Sequence, residues 1–310
     1  MSAAPRFALP DYLAAGTVVL IWGLNFVAMK FALLALSPLQ LGAARYVVAA
    51  LPLVLFIRRP AVQARWVLLY GLCQGVGQFG LLFVALKVGM SAALASVLMQ
   101  TQVFYTVVFS AFFLHERPGR NLQWGLGLAA LALLCFGYDV LVSAGQSVTA
   151  LGLLLNLGAA GMWAVSNIVA RKAQQSVADP AGYDPLAFVV WSSLVPILPF
   201  LALSAWLDAP FIWASLAQVS WHSWASVLYL GWLATILSYA LWTGLLKRYP
   251  ANRVAPLSLG VPVVGLLAGV LGLQESVTGW QWLGTGLTIS ALAFVFRKER
   301  MAGQNHTRMP

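Results

Sequence analysis

Apolar runs of roughly twenty residues follow one another along almost the whole chain, separated by short polar punctuation. A bilayer core takes about 20 apolar residues per helix. The pattern therefore predicts membrane-spanning helices at 12–34, 38–57, 66–86, 91–114, 121–141, 149–171, 185–207, 222–246, 252–273 and 279–296. The connections between them are short and leave no room for a sizeable soluble domain. The expected fold is an all-α integral membrane protein of ten transmembrane helices.

Composition sharpens this picture. Hydrophobic residues make up 61% of the 310 and charged residues 8%, with a mean hydropathy of +0.85, a balance that leaves a water-soluble fold without a polar surface. The net charge of +10 invites a nucleic-acid reading, but the basic residues alternate with the topology. Arg6, Arg58, Arg59, Arg65, Arg117, Arg120, Arg171, Lys172, Lys247, Arg248, Arg253, Arg297, Lys298, Arg300 and Arg308 all fall on the side of the N-terminus. The opposite loops at 139–148 and 208–221 hold no Lys or Arg. This positive-inside pattern places both termini in the cytoplasm and makes the basic charge a topology signal. No nucleic-acid partner is expected. The expected partners are a small-molecule substrate and the lipid bilayer, and the sequence does not set the oligomeric state.

The chain repeats itself. Trp22-Gly23 and Lys30 recur 141 positions later as Trp163-Ala164 and Arg171. The stretch from Ala85-Leu86 to Glu116 recurs 159 positions later as Gly244-Leu245 to Glu275, and Gly125 and Gly127 match Gly284 and Gly286 at that offset. Two five-helix repeats are expected, at 12–141 and 149–296, followed by a cytoplasmic tail at 297–310. An odd number of spans per repeat inverts the second copy in the membrane, an arrangement that places a transporter's substrate site near the midplane. Duplication can also simply build a large helical bundle.

Several local strings resemble the EamA family of the drug/metabolite transporter superfamily. They are Trp22-Gly23-Leu24-Asn25-Phe26-Val27 with Lys30, Pro38 and Arg45, then Ala92-Ala93-Leu94-Ala95-Ser96 and His115-Glu116-Arg117. The second half adds Arg253-Val254-Ala255-Pro256-Leu257-Ser258, Val261-Pro262-Val263-Val264-Gly265 and Gln274-Glu275. Gly77-Gln78-Phe79, Gly89-Met90, Gln100-Thr101-Gln102, Asn167 and Val190-Trp191-Ser192 resemble a subgroup handling cysteine and O-acetylserine. The resemblance implies two inverted five-helix repeats in a bacterial inner membrane and outward movement of small metabolites by alternating access. Related members carry drugs, pigments and aromatic compounds as well, so fold does not fix cargo.

Candidate chemistry lies in the polar residues within the spans. A cation near a bilayer centre costs about 2.5–3.5 kcal/mol on insertion scales. Arg45, about seven residues into its span, is therefore a candidate partner for a substrate carboxylate or for a helix C-terminus. Lys30 and Lys87 lie nearer the surface and either snorkel outward or form an anion-attracting vestibule. No acid lies mid-span, which argues for weak or indirect proton coupling. Glu116 and Glu275 occupy equivalent span ends and either cap basic loops, hold gates closed, or are solvated there. Asn25, Gln78, Gln100, Gln102, Asn167 and Tyr239 need partners in hydrocarbon, from another helix or from cargo. Trp22 and Trp163 offer cation–π faces to an ammonium group, worth about 0.5–2 kcal/mol. The proposed substrate-binding set is Trp22, Asn25, Arg45, Gln78, Gln100, Gln102, Trp163, Asn167 and Tyr239, with Lys30, Lys87, Glu116 and Glu275 as gates.

Cys73 and Cys135 read as packed thiols. No metal-ligand spacing, P-loop, nucleotide cradle or catalytic triad is present in the sequence, so no cofactor, metal or catalytic residue is expected. The competing classes are an efflux system for drugs or pigments, a non-transporting structural or regulatory membrane protein, and a lipid-modifying enzyme. The last lacks an evident acid, base or nucleophile in its spans.

Overall fold

Helix boundaries follow from local capping chemistry. The Ser37 hydroxyl oxygen accepts a hydrogen bond from the Gln40 amide while Gln40 Oε1 accepts one from the Ser37 amide, a capping box with Pro38 in the first turn. Thr149, Asp184 and Ser220 cap the helices that follow them with a side-chain oxygen that accepts from a first-turn amide. The computed structural model describes residues 7–88, 92–116, 118–143, 149–179, 182–208, 219–273 and 278–304, and every regular element among them is helical.

In chain order these are α1 (Leu9–Ala32), α2 (Pro38–Val54), α3 (Ala64–Tyr70, Gly71–Gly80 and Leu81–Lys87 in one rod), α4 (Ala92–Met99) and α5 (Gln102–Phe113). They continue with α6 (Arg120–Ser143), α7 (Ala150–Gln175), α8 (Pro185–Ser192) and α9 (Ile197–Leu207). The last are α10 (Trp221–Leu228, Tyr229–Leu237 and Ser238–Arg248), α11 (Ala251–Val254, Ala255–Gly260 and Val261–Leu273) and α12 (Gly279–Gln304). Among the described residues, six helical stretches are long and apolar enough to cross a membrane: Leu9–Met29, Ala64–Ala85, Arg120–Asp139, Ala150–Gln175, Pro185–Leu207 and Trp221–Arg248. Pro38–Val54 and Val97–Phe113 are shorter apolar stretches.

Three rods depart from α geometry. The middle of α3 and the middle of α10 are wide π turns, at Gly71–Gly80 and Tyr229–Leu237. Ala255–Gly260 in α11 is tightened to 3₁₀, with Pro256 in its first turn. The α4–α5 junction tightens similarly: the Gln100 and Thr101 amides donate to Val97 and Leu98, three residues back. Such mid-helix irregularities collect at functional positions because they re-aim side chains out of the regular register.

The first helix of each half packs against the other half. α1 lies against α10 and α11, and α7 lies against α3, α4 and α5. α2 packs on α9 and α10, while α6 and α12 form a long antiparallel pair at one edge. Large apolar side chains such as Leu13, Leu20, Phe56, Phe112, Leu134 and Leu198 remain exposed on the outer faces, the surface a bilayer covers. Cys73 is buried, Cys135 is half-buried, and both are free thiols.

Candidate functional site

The polar residues of α1, α2, α3, α5, α7, α10 and α11 and of the α4–α5 junction meet in two adjoining clusters. The first is a hydrogen-bonded seam. Gln102 Nε2 donates to Ser258 Oγ at 2.8 Å, and Gln102 Oε1 accepts from Thr106 Oγ1 at 3.1 Å and from Asn167 Nδ2 at 3.3 Å. Asn167 Nδ2 also reaches Thr106 Oγ1 at 3.2 Å, and Asn167 Oδ1 accepts from Trp242 Nε1 at 2.8 Å. Ser258 Oγ faces the Ala255 carbonyl at 2.9 Å and Gln100 Oε1 at 3.3 Å, so one hydroxyl proton serves two acceptors. Four helices are joined this way, and all of these side chains are buried.

The second cluster is aromatic and incompletely paired. The Trp22 ring stands 5.3 Å from Trp163, 4.9 Å from Tyr239 and 5.2 Å from Trp242 between centroids, and Trp22 Nε1 donates to the Ala234 carbonyl at 3.1 Å. Gln78 and the Tyr239 hydroxyl face each other at 3.4–3.5 Å, the long end of hydrogen bonding. Arg45 is 2% exposed; its Nε donates to Thr235 Oγ1 at 2.6 Å, and its guanidinium carbon lies 4.2 Å from the centre of the Phe79 ring. Thr235 Oγ1 in turn donates to the Leu230 carbonyl at 2.7 Å, which turns its lone pairs toward Arg45. Both Thr235 and Phe79 sit in the wide π turns. Among the described residues Asn25 Nδ2 meets only the Met29 sulfur, at 3.4 Å. Asn25 Oδ1, Trp163 Nε1 and Gln74 Nε2 are buried without a hydrogen-bond partner among the described residues.

Of the predicted substrate-binding residues, Gln100, Gln102 and Asn167 belong to the seam, and Trp22, Asn25, Arg45, Gln78, Trp163 and Tyr239 to the aromatic cluster. The Trp22–Trp242 contact joins the two. The sequence reading passed over Thr235, Tyr46, Thr106 and Trp242, whose roles depend on which helix faces which. An open groove of about 570 Å³ on the flank, walled by Leu53, Pro185, Trp232, Ile236 and Leu241, holds none of these polar residues; its walls suit lipid.

One end of the bundle is tied by two carboxylates acting on the same turn, the link from α10 to α11. Glu116 accepts from the Ala251 and Asn252 amides, each at 3.2 Å, and Arg171 Nε lies 3.9 Å away. Arg171 also donates to the Leu246 and Lys247 carbonyls at 2.7 and 2.9 Å. Asp11 pairs with Arg248 at 2.5 Å and accepts from the Tyr249 hydroxyl at 2.5 Å and the Ala8 amide at 2.8 Å, while Phe7 stacks on Tyr249. Burial raises the Glu116 carboxyl above its ordinary range, with the two amides and Arg171 offsetting part of that rise. Among the predicted gates, Glu116 is in this assembly; Glu275 and the side chains of Lys30 and Lys87 lie outside the described residues. Asp11 enters the assembly unpredicted, since a first-turn acid ordinarily answers to its own helix dipole.

At the other end, Asp139 accepts from Thr278 Oγ1 at 2.5 Å and Gln281 Nε2 at 2.8 Å, joining α6 to α12. Asp208 accepts from Ser37 and, at 3.0 Å, from Ser204, joining α9 to α2.

A helical bundle built of apolar rods, with paired polar seams at mid-depth and carboxylate ties at its ends, has the architecture of a membrane transporter. Residues 10–138 and 150–297 match the EamA-like transporter family, and the chain belongs to that family. It is a multi-pass membrane transporter and not an enzyme. It is 43% identical over 292 residues to a "Probable amino-acid metabolite efflux pump" of Salmonella typhimurium, covering 92% of this chain and 95% of the relative. A protein of the same description from Escherichia coli is 41% identical over 302 residues, covering 94% and 98%. A solved crystal structure superposes with a TM-score of 0.71 at 20% identity over 92% of this chain and 96% of the other, a likeness of fold alone.

Proposed function

We propose that this transporter exports small amino-acid metabolites, of the cysteine and O-acetylserine class, across a bacterial inner membrane. The observation that carries this reading is full-length similarity above 40% to two enterobacterial proteins described as amino-acid metabolite efflux pumps. In this reading ten helices form two inverted repeats, 12–141 and 149–296, with both termini cytoplasmic and 297–310 as a tail. The π turns support duplication, since they begin 158 residues apart (229 − 71), close to the 159-residue offset of the sequence repeat. The reciprocal packing of α1 and α7 supports it as well.

Cargo occupies the midplane between the repeats, lined by Trp22, Asn25, Arg45, Gln78, Trp163 and Tyr239, with Gln100, Gln102 and Asn167 forming the seam beside it. Alternating access proceeds by rocking of the repeats about that site. The turn at 248–252, held by Glu116 and Asp11, is the cytoplasmic gate; Lys30, Lys87 and Glu275 complete the gating set.

Counterflow in proteoliposomes preloaded with unlabelled amino acids, with labelled cysteine or serine outside, tests the reading. Accumulation competed by O-acetylserine is the expected result. No counterflow with any amino acid, by protein shown to be folded, would move the assignment to drug or pigment efflux. Gln78→Leu, which removes both groups facing Tyr239, is expected to lower flux about tenfold, the scale of one neutral hydrogen bond of 0.5–1.5 kcal/mol, with folded protein unchanged. Normal flux would remove Gln78 from the site.

The Glu116 tie predicts a pH response with a definite sign. Its carboxyl is raised in the closed end and returns to its ordinary range when the end opens to water. The closed form therefore holds the proton more tightly, so acid favours closure. Opening increases as pH climbs from the ordinary carboxyl range through the raised value, then levels off. Labelling of Asn252→Cys by a thiol reagent from the cytoplasmic side should follow that curve, and Glu116→Gln should flatten it. Labelling that falls with rising pH would contradict the assignment.

A further inference from the structure

Beside the aromatic cluster, among the described residues, one buried amide donor lacks an acceptor and one buried cation lacks a counter-ion. Arg45 is a buried cation whose Nε alone is hydrogen-bonded among the described residues, to Thr235. Among those residues no carboxylate lies within ion-pair distance of it. Gln74, 3% exposed, is clamped from one side: the Tyr46 hydroxyl donates to its Oε1 at 3.3 Å, leaving Nε2 buried with no partner among the described residues. The Arg45 guanidinium carbon lies 6.0 Å from the centre of the Tyr46 ring, whose hydroxyl holds Gln74, so both groups flank the same tyrosine. A net positive charge and a spare amide N–H there face no anion among the described residues, an arrangement that favours a ligand able to supply one.

We infer that Arg45 and Gln74 form the carboxylate-binding end of the cargo site, with Gln74 as a specificity residue. The inference rests on the amino-acid reading above and deepens it. The guanidinium edge left free by the Thr235 bond presents its Nη groups to a carboxylate in the forked geometry that suits two oxygens. Phe79 under the guanidinium face holds the plane of that fork. Tyr46 orients the Gln74 amide so that nitrogen, and not oxygen, faces the cargo. A cargo whose carboxyl is replaced by an amide or is missing leaves the guanidinium unpaired in a low-dielectric site, and such a mismatch discriminates strongly.

The test is competition against labelled serine in counterflow, with serine, serinamide and ethanolamine as probes on wild type, Arg45→Lys and Gln74→Leu. In wild type, serine should compete at least 30-fold better than serinamide or ethanolamine. Gln74→Leu should cut that preference several-fold by weakening serine, whose carboxylate accepts a charge-assisted bond, more than serinamide, whose carbonyl accepts a neutral one. Arg45→Lys, which keeps the charge and loses the fork, should cut it further. A purely structural role would change the amount of folded protein or the overall rate and leave the serine-to-serinamide ratio intact; that result overturns the subsite. Equal competition by serine and serinamide in wild type also overturns it while leaving amino-acid transport standing. Failure of wild type to accumulate serine, cysteine or any other amino acid overturns the functional reading itself, and the subsite with it.

Discussion

Gly75→Val is expected to leave no more than about a tenth of the wild-type amount of folded protein in the membrane. A side chain at this position in α3 has no place to go: its Cβ would fall within Pro196, in the turn between α8 and α9. Pro196 is a poor neighbour to displace because its ring is fixed to the backbone. One turn earlier, a Cβ on Gly71 would meet the Ser192 carbonyl at 2.5 Å and Val195 at 2.6 Å. The pair forms the small-xxx-small surface that lets two rods approach closely without a hydrophobic driving force between them. Overpacking a core costs about 1–3 kcal/mol per extra group where neighbours can yield, and here a backbone-fixed ring and a carbonyl cannot. Size-exclusion profiles of detergent extracts would check this. Gly127→Ala, with nothing within 4 Å of its Cβ, serves as the neutral control. A monodisperse wild-type peak from Gly75→Val would show that α3 and the α8–α9 turn are not packed as described.

The second large effect belongs to Asn167. Its side chain donates to Gln102 and Thr106 and accepts from Trp242, so Asn167→Ala strips three bonds from one seam. Interhelical bonds inside membranes average about 0.6 kcal/mol and reach about 1.7, which puts the total near 2 kcal/mol. A markedly lower melting temperature is expected, together with lost flux. Trp242→Phe removes only one donor and should cost less. The double variant should fall short of the sum, because the two residues share one hydrogen bond. Strict additivity would mean that the Trp242–Asn167 bond contributes nothing.

Hydrophobic spacing carried most of the fold. The runs at 12–34 and 149–171 correspond to single rods in the structure, because an apolar stretch has few alternatives in lipid. The run at 185–207 is instead broken by the turn at 193–196 into α8 and α9. The π turns at Gly71–Gly80 and Tyr229–Leu237 were not legible, since they preserve the same apolar run and alter only the hydrogen-bond step. Pro256, which lacks the N–H an α turn needs, stands at the start of the 3₁₀ segment. Candidate site residues were legible as a class, as polar groups that hydrocarbon does not tolerate alone. Their division was not: nothing in the string separates Gln102, which is fully bonded, from Gln74, whose nitrogen is orphaned, because that difference is made by Tyr46 and Ser258 on other helices. Thr235 looked like an ordinary half-polar residue until α10 brought it to Arg45. Asp11 was similarly hidden, since its partners Arg248 and Tyr249 lie more than two hundred positions away in sequence.

The central claim is that the cluster around Gln78 and Tyr239 is a cargo site reached in turn from both faces of the membrane. Its most direct test is a single cysteine at Gln78, in a chain with Cys73 and Cys135 replaced by alanine, exposed to an impermeant thiol reagent in right-side-out and in inverted vesicles. Modification from both faces, slowed on both by the transported amino acid, is the predicted result. Modification from one face only, or from neither in protein shown to be folded, would contradict it.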